Sequence, residues 1–144
     1  MQTSNFIVKI ATTFVGAQRY GDNQKNWEIL RFCLHHFKNM SPRLQYLLQL
    51  LETSPKDAFV LFAIAKEYEN TGDEAQALTY YLRLRETEEG YVGLYYHLGK
   101  LYERRSEAEN ARAAYQQGIE ISKKAGDRHA LSELQAALLN LDYD

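Results

Sequence analysis

A single cysteine, Cys33, among 144 residues excludes an internal disulfide framework. It makes the reducing cytosol the expected compartment. Proline is nearly absent: Pro42 and Pro55 are the only two, so long stretches are free to be helical. The chain holds no run of about 18 apolar residues, so no membrane-spanning helix and no membrane partner are expected. Net charge is small, −2 at pH 7 with a pI near 6.1. That gives no global attraction to nucleic-acid phosphates. Lys123, Lys124 and Arg128, with Arg83, Arg85, Arg104, Arg105 and Arg112, are scattered basic spots among glutamates. No nucleic-acid partner is expected.

Enzyme signatures are missing as well. There is no Gly-rich phosphate loop, no His-Glu-x-x-His and no nucleophile elbow. Glu67 and Glu69 stand two residues apart, so on a helix they point to different sides and make no working acid pair. Neither an enzymatic activity nor a cofactor is expected. Cys33-x-His35-His36 supplies three potential metal ligands. A structural zinc site wants four, and no fourth stands at suitable spacing, so no metal is expected. Phe6 to Ala17 is fairly apolar, but Lys9 interrupts it and no positive side chain precedes it. A secretory signal needs a basic start and a clean apolar core, so none is expected.

The charge is unevenly placed. Residues 1–39 hold five Lys or Arg against two Asp or Glu, and residues 40–144 hold twelve against seventeen. The first segment also holds the only Trp and weakly periodic hydrophobics. We expect it to be a poorly ordered extension upstream of a true start at Met40. The alternative is a degenerate helix, since Trp27, Leu30, Leu34 and Phe37 share one helical face.

From Ser41 the helical pattern is strong. Ser41-Pro42 is a helix start, with Ser able to accept from an orphan N–H and Pro suited to the first position. Leu44, Leu47, Leu48 and Leu51 follow on one face. Ser54-Pro55 is a stop, because the residue before proline disfavours the α conformation. Helices are expected at about 42–53, 58–70, 74–87, 92–104, 107–124 and 128–141. The last carries Leu131, Leu134, Leu138 and Leu141 as an apolar stripe that covers the end of the domain at 40–144.

Sliding the chain on itself by 34 residues reveals a repeat. Leu61 falls on Tyr95, Ile64 on Leu98, Ala65 on Gly99 and Tyr68 on Tyr102. Ala77 falls on Ala111, Tyr81 on Tyr115 and Leu84 on Gly118. The large residues share a helix face, and the small one admits a partner helix. Gly72-Asp73 turns the chain in the first unit. In the second, Ser106 is expected to cap the next helix.

This pattern resembles the tetratricopeptide repeat family. The second unit matches most closely, as Tyr95-x-x-Leu98-Gly99-x-x-Tyr102 followed by Ala111-x-x-x-Tyr115. The family's closing Pro is replaced by Glu89 and by Lys123, and Leu84 stands where a small residue is usual. The resemblance implies an all-α fold: a right-handed superhelix of two full repeats with flanking capping helices, in a small stand-alone protein. It implies that the first helices of successive units line a groove for a peptide or protein segment. The candidates are Phe59, Phe62, Lys66, Glu69 and Asn70 from the first unit, and Tyr96, His97, Lys100, Glu103 and Arg104 from the second. His129 and Ser132 stand at the rim. Phe62 and Tyr96 share one register position, so packing between units explains them equally well. For any one of the charges a solvated helix face is the commoner reading. Some family members clamp a terminal carboxylate, but the full residue set for that is absent here. The expected function is a protein-interaction scaffold. The alternative is a self-associating structural unit, and a monomer or weak homodimer is expected.

Overall fold

Four of the six helices begin where a side chain replaces a missing backbone partner. The computed structural model describes residues 40–143, with side chains through Leu141. Trp27, the Cys33–His35–His36 group and the rest of 1–39 lie outside the described residues. Ser41 accepts from the Leu44 N–H at 3.1 Å and starts α1 (Pro42–Thr53). The chain divides into two units at Gln45–Tyr46, inside α1, and both repeats lie in the second unit.

Asp57 accepts from the Val60 N–H at 3.0 Å and caps α2 (Ala58–Asn70). Asp73 accepts from the Gln76 N–H at 3.1 Å and caps α3 (Glu74–Thr87). The fourth helix, α4 (Gly93–Arg104), has no side-chain cap, and neither has α5 (Ala108–Ala125). Asp127 accepts from the Ala130 N–H at 3.0 Å ahead of α6 (Arg128–Tyr143). Among the described residues the fold is six helices and no strand.

The helices pack as neighbours in sequence: α2 on α3, α4 on α5 and α5 on α6, with lesser contacts of α3 with α4 and α4 with α6. Repeat one is α2–α3 and repeat two is α4–α5. Their interiors hold Leu61, Ile64, Ala65, Ala77, Tyr81 and Leu84, then Tyr95, Leu98, Gly99, Ala111 and Tyr115, all fully buried or nearly so. A side-chain carbon on Gly99 would collide with the Tyr115 ring. Helices α4 and α5 therefore approach closely only because this position has no side chain. Gly118 serves the next junction: a Cβ there would lie 2.5 Å from the Tyr95 Cβ and 3.0 Å from a Leu134 methyl. Leu134 is buried, while Leu131, Leu138 and Leu141 are half-buried.

Ser106 departs from its expected role. It does not cap α5; it sits in the left-handed region at φ 59°, as Gly72 does at φ 80° one period earlier. The two turns are otherwise alike. The Asp73 N–H donates to the Tyr68 carbonyl at 2.9 Å, and the Glu107 N–H donates to the Tyr102 carbonyl at 2.9 Å. The tight turn dictates the backbone, and serine adopts it at the steric cost that glycine avoids.

Candidate functional site

Residues on one face of α2 and α4 meet across the junction between the repeats. Phe59, Phe62, Lys66 and Asn70 recur every three or four residues along α2, so they share a face. Lys66 donates from Nζ to Glu69 Oε2 at 2.8 Å and lies 3.3 Å from His97 Nδ1. An ammonium can only donate, so His97 accepts here and carries its proton on Nε2. Arg104, at the end of α4, donates to Glu69 Oε1 at 2.8 Å and from Nε to Glu74 Oε1 at 3.2 Å.

Tyr81 of α3 completes this group, donating its hydroxyl to Glu69 Oε2 at 2.7 Å. Burial pushes the Glu69 carboxyl up. The hydrogen bonds from Lys66, Tyr81 and Arg104 outweigh that and hold it down at about 2. Burial, with the Lys66 charge beside it, lowers the His97 imidazole below its ordinary value, against the pull of Glu69 and Glu133. Burial and the bond to Glu69 raise the Tyr81 phenol. Glu69 is thus a fixed anion and His97 a neutral ring.

Repeat two copies the arrangement one period on. Lys100 donates to Glu103 Oε2 at 2.8 Å, and the Tyr115 hydroxyl donates to Glu103 Oε1 at 2.6 Å. Burial and that bond raise the Tyr115 phenol. The repeat pattern places Tyr81 and Tyr115 in the core alone, and they do fill it. Their hydroxyls reach further, to the carboxylates of the candidate face. A signal for this exists in the sequence: Lys-x-x-Glu recurs at 66–69 and 100–103, each with a tyrosine at the same offset from its Glu.

Aromatic rings border the charges. Phe62 packs on Tyr81, Tyr91 and His97 with centroids 6.1, 5.3 and 5.5 Å away. Phe62 therefore takes part in packing between the repeats. Tyr91 holds that contact from the loop before α4, and the repeat pattern gives it no role. His97 lies parallel to Tyr81 and edge-on to Tyr96. Tyr80 belongs elsewhere, stacked on Tyr68 at 5.5 Å.

The remaining candidates are less engaged. Phe59 is 69 % exposed, the most of any large hydrophobic side chain among the described residues. Asn70 and Ser132 are exposed. His129 is exposed on α6, 3.6 Å from Glu133, and no hydrogen bond joins it to the cluster. No group of His, Cys, Asp and Glu among the described residues is arranged to hold a metal ion.

A tetratricopeptide repeat family model matches residues 92–124, which cover α4 and nearly all of α5. The crystal structure of a tetratricopeptide repeat domain protein from Salinibacter ruber is 43 % identical, with a TM-score of 0.58. The match covers 60 % of this chain and 97 % of that one. The chain belongs to the tetratricopeptide repeat family. A solution structure of a tetratricopeptide repeat domain protein from the same organism agrees, at 43 % identity and TM-score 0.58, over 61 % of this chain and 89 % of that one. A Bordetella parapertussis protein shares the fold at TM-score 0.64 and 22 % identity, over 72 % of this chain and 90 % of that one. No curated protein matches the chain. Tetratricopeptide repeat domains generally mediate protein–protein interaction and are generally scaffolds without catalytic activity. No helix among the described residues is long and apolar enough to cross a membrane.

Proposed function

We propose that this tetratricopeptide repeat chain is an interaction scaffold that takes a peptide or helical segment of a protein partner on the α2–α4 face. The exposure of Phe59 carries the reading. A phenylalanine 69 % in water, on the helix face that also carries Phe62, Lys66 and Asn70, suits an anchor for a partner. Half-buried Tyr96, His97 and Lys100 extend the same surface on α4. Aromatic rings beside fixed charges of both signs fit contacts that are apolar at the centre and polar at the rim. Glu69, Glu103 and Arg104 position these groups, and His129 stands outside the cluster. A cytosolic location fits the single cysteine.

The test is affinity capture on the full chain beside a Phe59→Ala, Tyr96→Ala double variant. Phe62 is left in place because it packs on three rings. The double variant is expected to keep its helicity by circular dichroism and to lose the captured partner. Undiminished capture by the double variant refutes the face.

Self-association is the second reading, favoured by Leu139, which is 56 % exposed on α6. Light scattering separates the two. A monomer at working concentration favours the scaffold, and a dimer abolished by Leu139→Lys favours self-association.

A further inference from the structure

The Lys–Glu–Tyr group is built twice, and the two carboxylates differ in one partner. In repeat one Glu69 accepts from Lys66, from Tyr81 and from the guanidinium of Arg104. In repeat two, among the described residues, Glu103 accepts from Lys100 and Tyr115 alone. Arg104 is the twelfth and last residue of α4. The residues at corresponding places in α6 are Leu138, Leu139 and Asn140, and none is a cation. The exposures follow this difference: the Glu103 side chain is 24 % exposed and that of Glu69 12 %.

We propose that the Lys100–Glu103–Tyr115 group receives an arginine side chain of a protein partner, seated as Arg104 is seated on Glu69. The proposal rests on reading the α2–α4 face as the binding surface, and it gives that partner a chemistry. The carboxylate has the capacity. Each of its oxygens accepts one hydrogen bond from the chain, and an ionised carboxylate oxygen takes two. Tyr115 and Lys100 hold the carboxylate in place, so little freedom is lost when a guanidinium docks. A guanidinium fits better than an ammonium, because its planar fork can donate to both Glu103 oxygens at once, each of which holds only one bond from the chain. Residues 40–144 carry twelve basic against seventeen acidic side chains, so a basic partner also meets a favourable field.

The probe is a displayed library of random peptides, panned on the full chain. Binders lost on the Phe59→Ala, Tyr96→Ala variant are sequenced and synthesised, with citrulline, the neutral isostere, replacing each arginine in turn. Face-dependent binders are expected to carry an arginine whose citrulline form binds the native chain about tenfold more weakly or worse. On Glu103→Gln the arginine and citrulline forms are expected to bind alike. The citrulline series on the native chain stands on its own should Glu103→Gln fold poorly. Face-dependent binders without arginine, or unaffected by citrulline, overturn the guanidinium site and leave the face standing. Binders indifferent to the Phe59 and Tyr96 replacements sink the face, and the guanidinium site with it.

Discussion

Repeat one and repeat two share a skeleton and differ in how they are finished. In repeat one the buried small residue is Ala65, the turn is Gly72-Asp73, and Glu69 is closed off by Arg104 from the following repeat. In repeat two the small residue is Gly99, the turn is strained at Ser106, α5 has no side-chain cap, and Glu103 has two donors instead of three. The first repeat is satisfied by its neighbour within the chain. The second, next to α6, retains a carboxylate that stays 24 % exposed. A repeat's side chains are completed by whatever packs beside it, so the last full repeat is where a solenoid has polar groups to offer.

The largest expected effect lies in the shared interior. Tyr95 fills in repeat two the position of Leu61 in repeat one, donates to the Glu89 carbonyl at 2.7 Å, and packs beside Gly118. Tyr95→Ala is expected to cost about 3–5 kcal/mol in denaturant unfolding. A loss under about 1 kcal/mol, the scale of an ordinary surface substitution, breaks the assigned packing.

Gly99 comes next. Its Cβ would enter the ring space of Tyr115, which is itself fixed by Glu103. Gly99→Leu is expected to lose at least about 1–3 kcal/mol through overpacking. Repeat one accommodates Ala65 at the same register with no exposed surface. A Gly99→Leu chain that melts with the parent contradicts the close crossing.

The two carboxylates sharpen the comparison further. Glu69→Gln weakens three charge-assisted bonds, one of them between repeats, and is expected to cost about 2 kcal/mol. Glu103→Gln weakens two such bonds and is expected to cost about two-thirds as much by the same reasoning. Equal losses erase the distinction between a closed and an open site. Acid unfolding gives a second check. The folded Glu69 carboxyl is depressed to about 2 from an ordinary 4.5, so its contribution is full above the ordinary value and fades as pH falls towards 2. Glu69→Gln is therefore expected to flatten the stability profile across that window. His97 acts in the same direction from higher pH, since its imidazole is held below the ordinary 6.5.

The smallest effect is a gain. Ser106→Gly with Glu107→Asp rebuilds in repeat two the turn and cap of Gly72-Asp73. It is expected to raise stability by about 1 kcal/mol, from relieved left-handed strain and a new N-cap bond. The Arg105–Glu107 pair lost in the change is partly exposed and contributes little. Unaltered stability implies that the two turns were equivalent from the start.

The period, the helices and the close crossing at Gly99 are legible in the sequence because they depend on residue size at fixed spacing. Leu61, Ile64, Ala65 and Tyr68 announce one helix face, and Tyr95, Leu98, Gly99 and Tyr102 announce it again. The turn at Ser106 misleads because serine is a good cap in isolation, whereas the tertiary turn demands a positive φ there. The candidate face is legible in part. The 34-residue recurrence brings Lys66 and Lys100 into one register, but it assigns Tyr81 and Tyr115 to packing alone. A tyrosine ring long enough to cross the core also delivers its hydroxyl to the far side. The Phe62–Tyr91 and Lys66–His97 contacts are out of the sequence's reach, because they depend on the angle between repeats.

The α2–α4 face is the proposed seat of the partner. The most direct test is backbone NMR of the full chain, titrated with a peptide selected on it from a displayed library. Shifts are expected to concentrate around Phe59, Phe62, Lys66, Tyr96, His97 and Lys100, with α3 and the outer face of α5 little changed. Shifts confined to α3, α5 or the Leu139 side of α6 would contradict the claim.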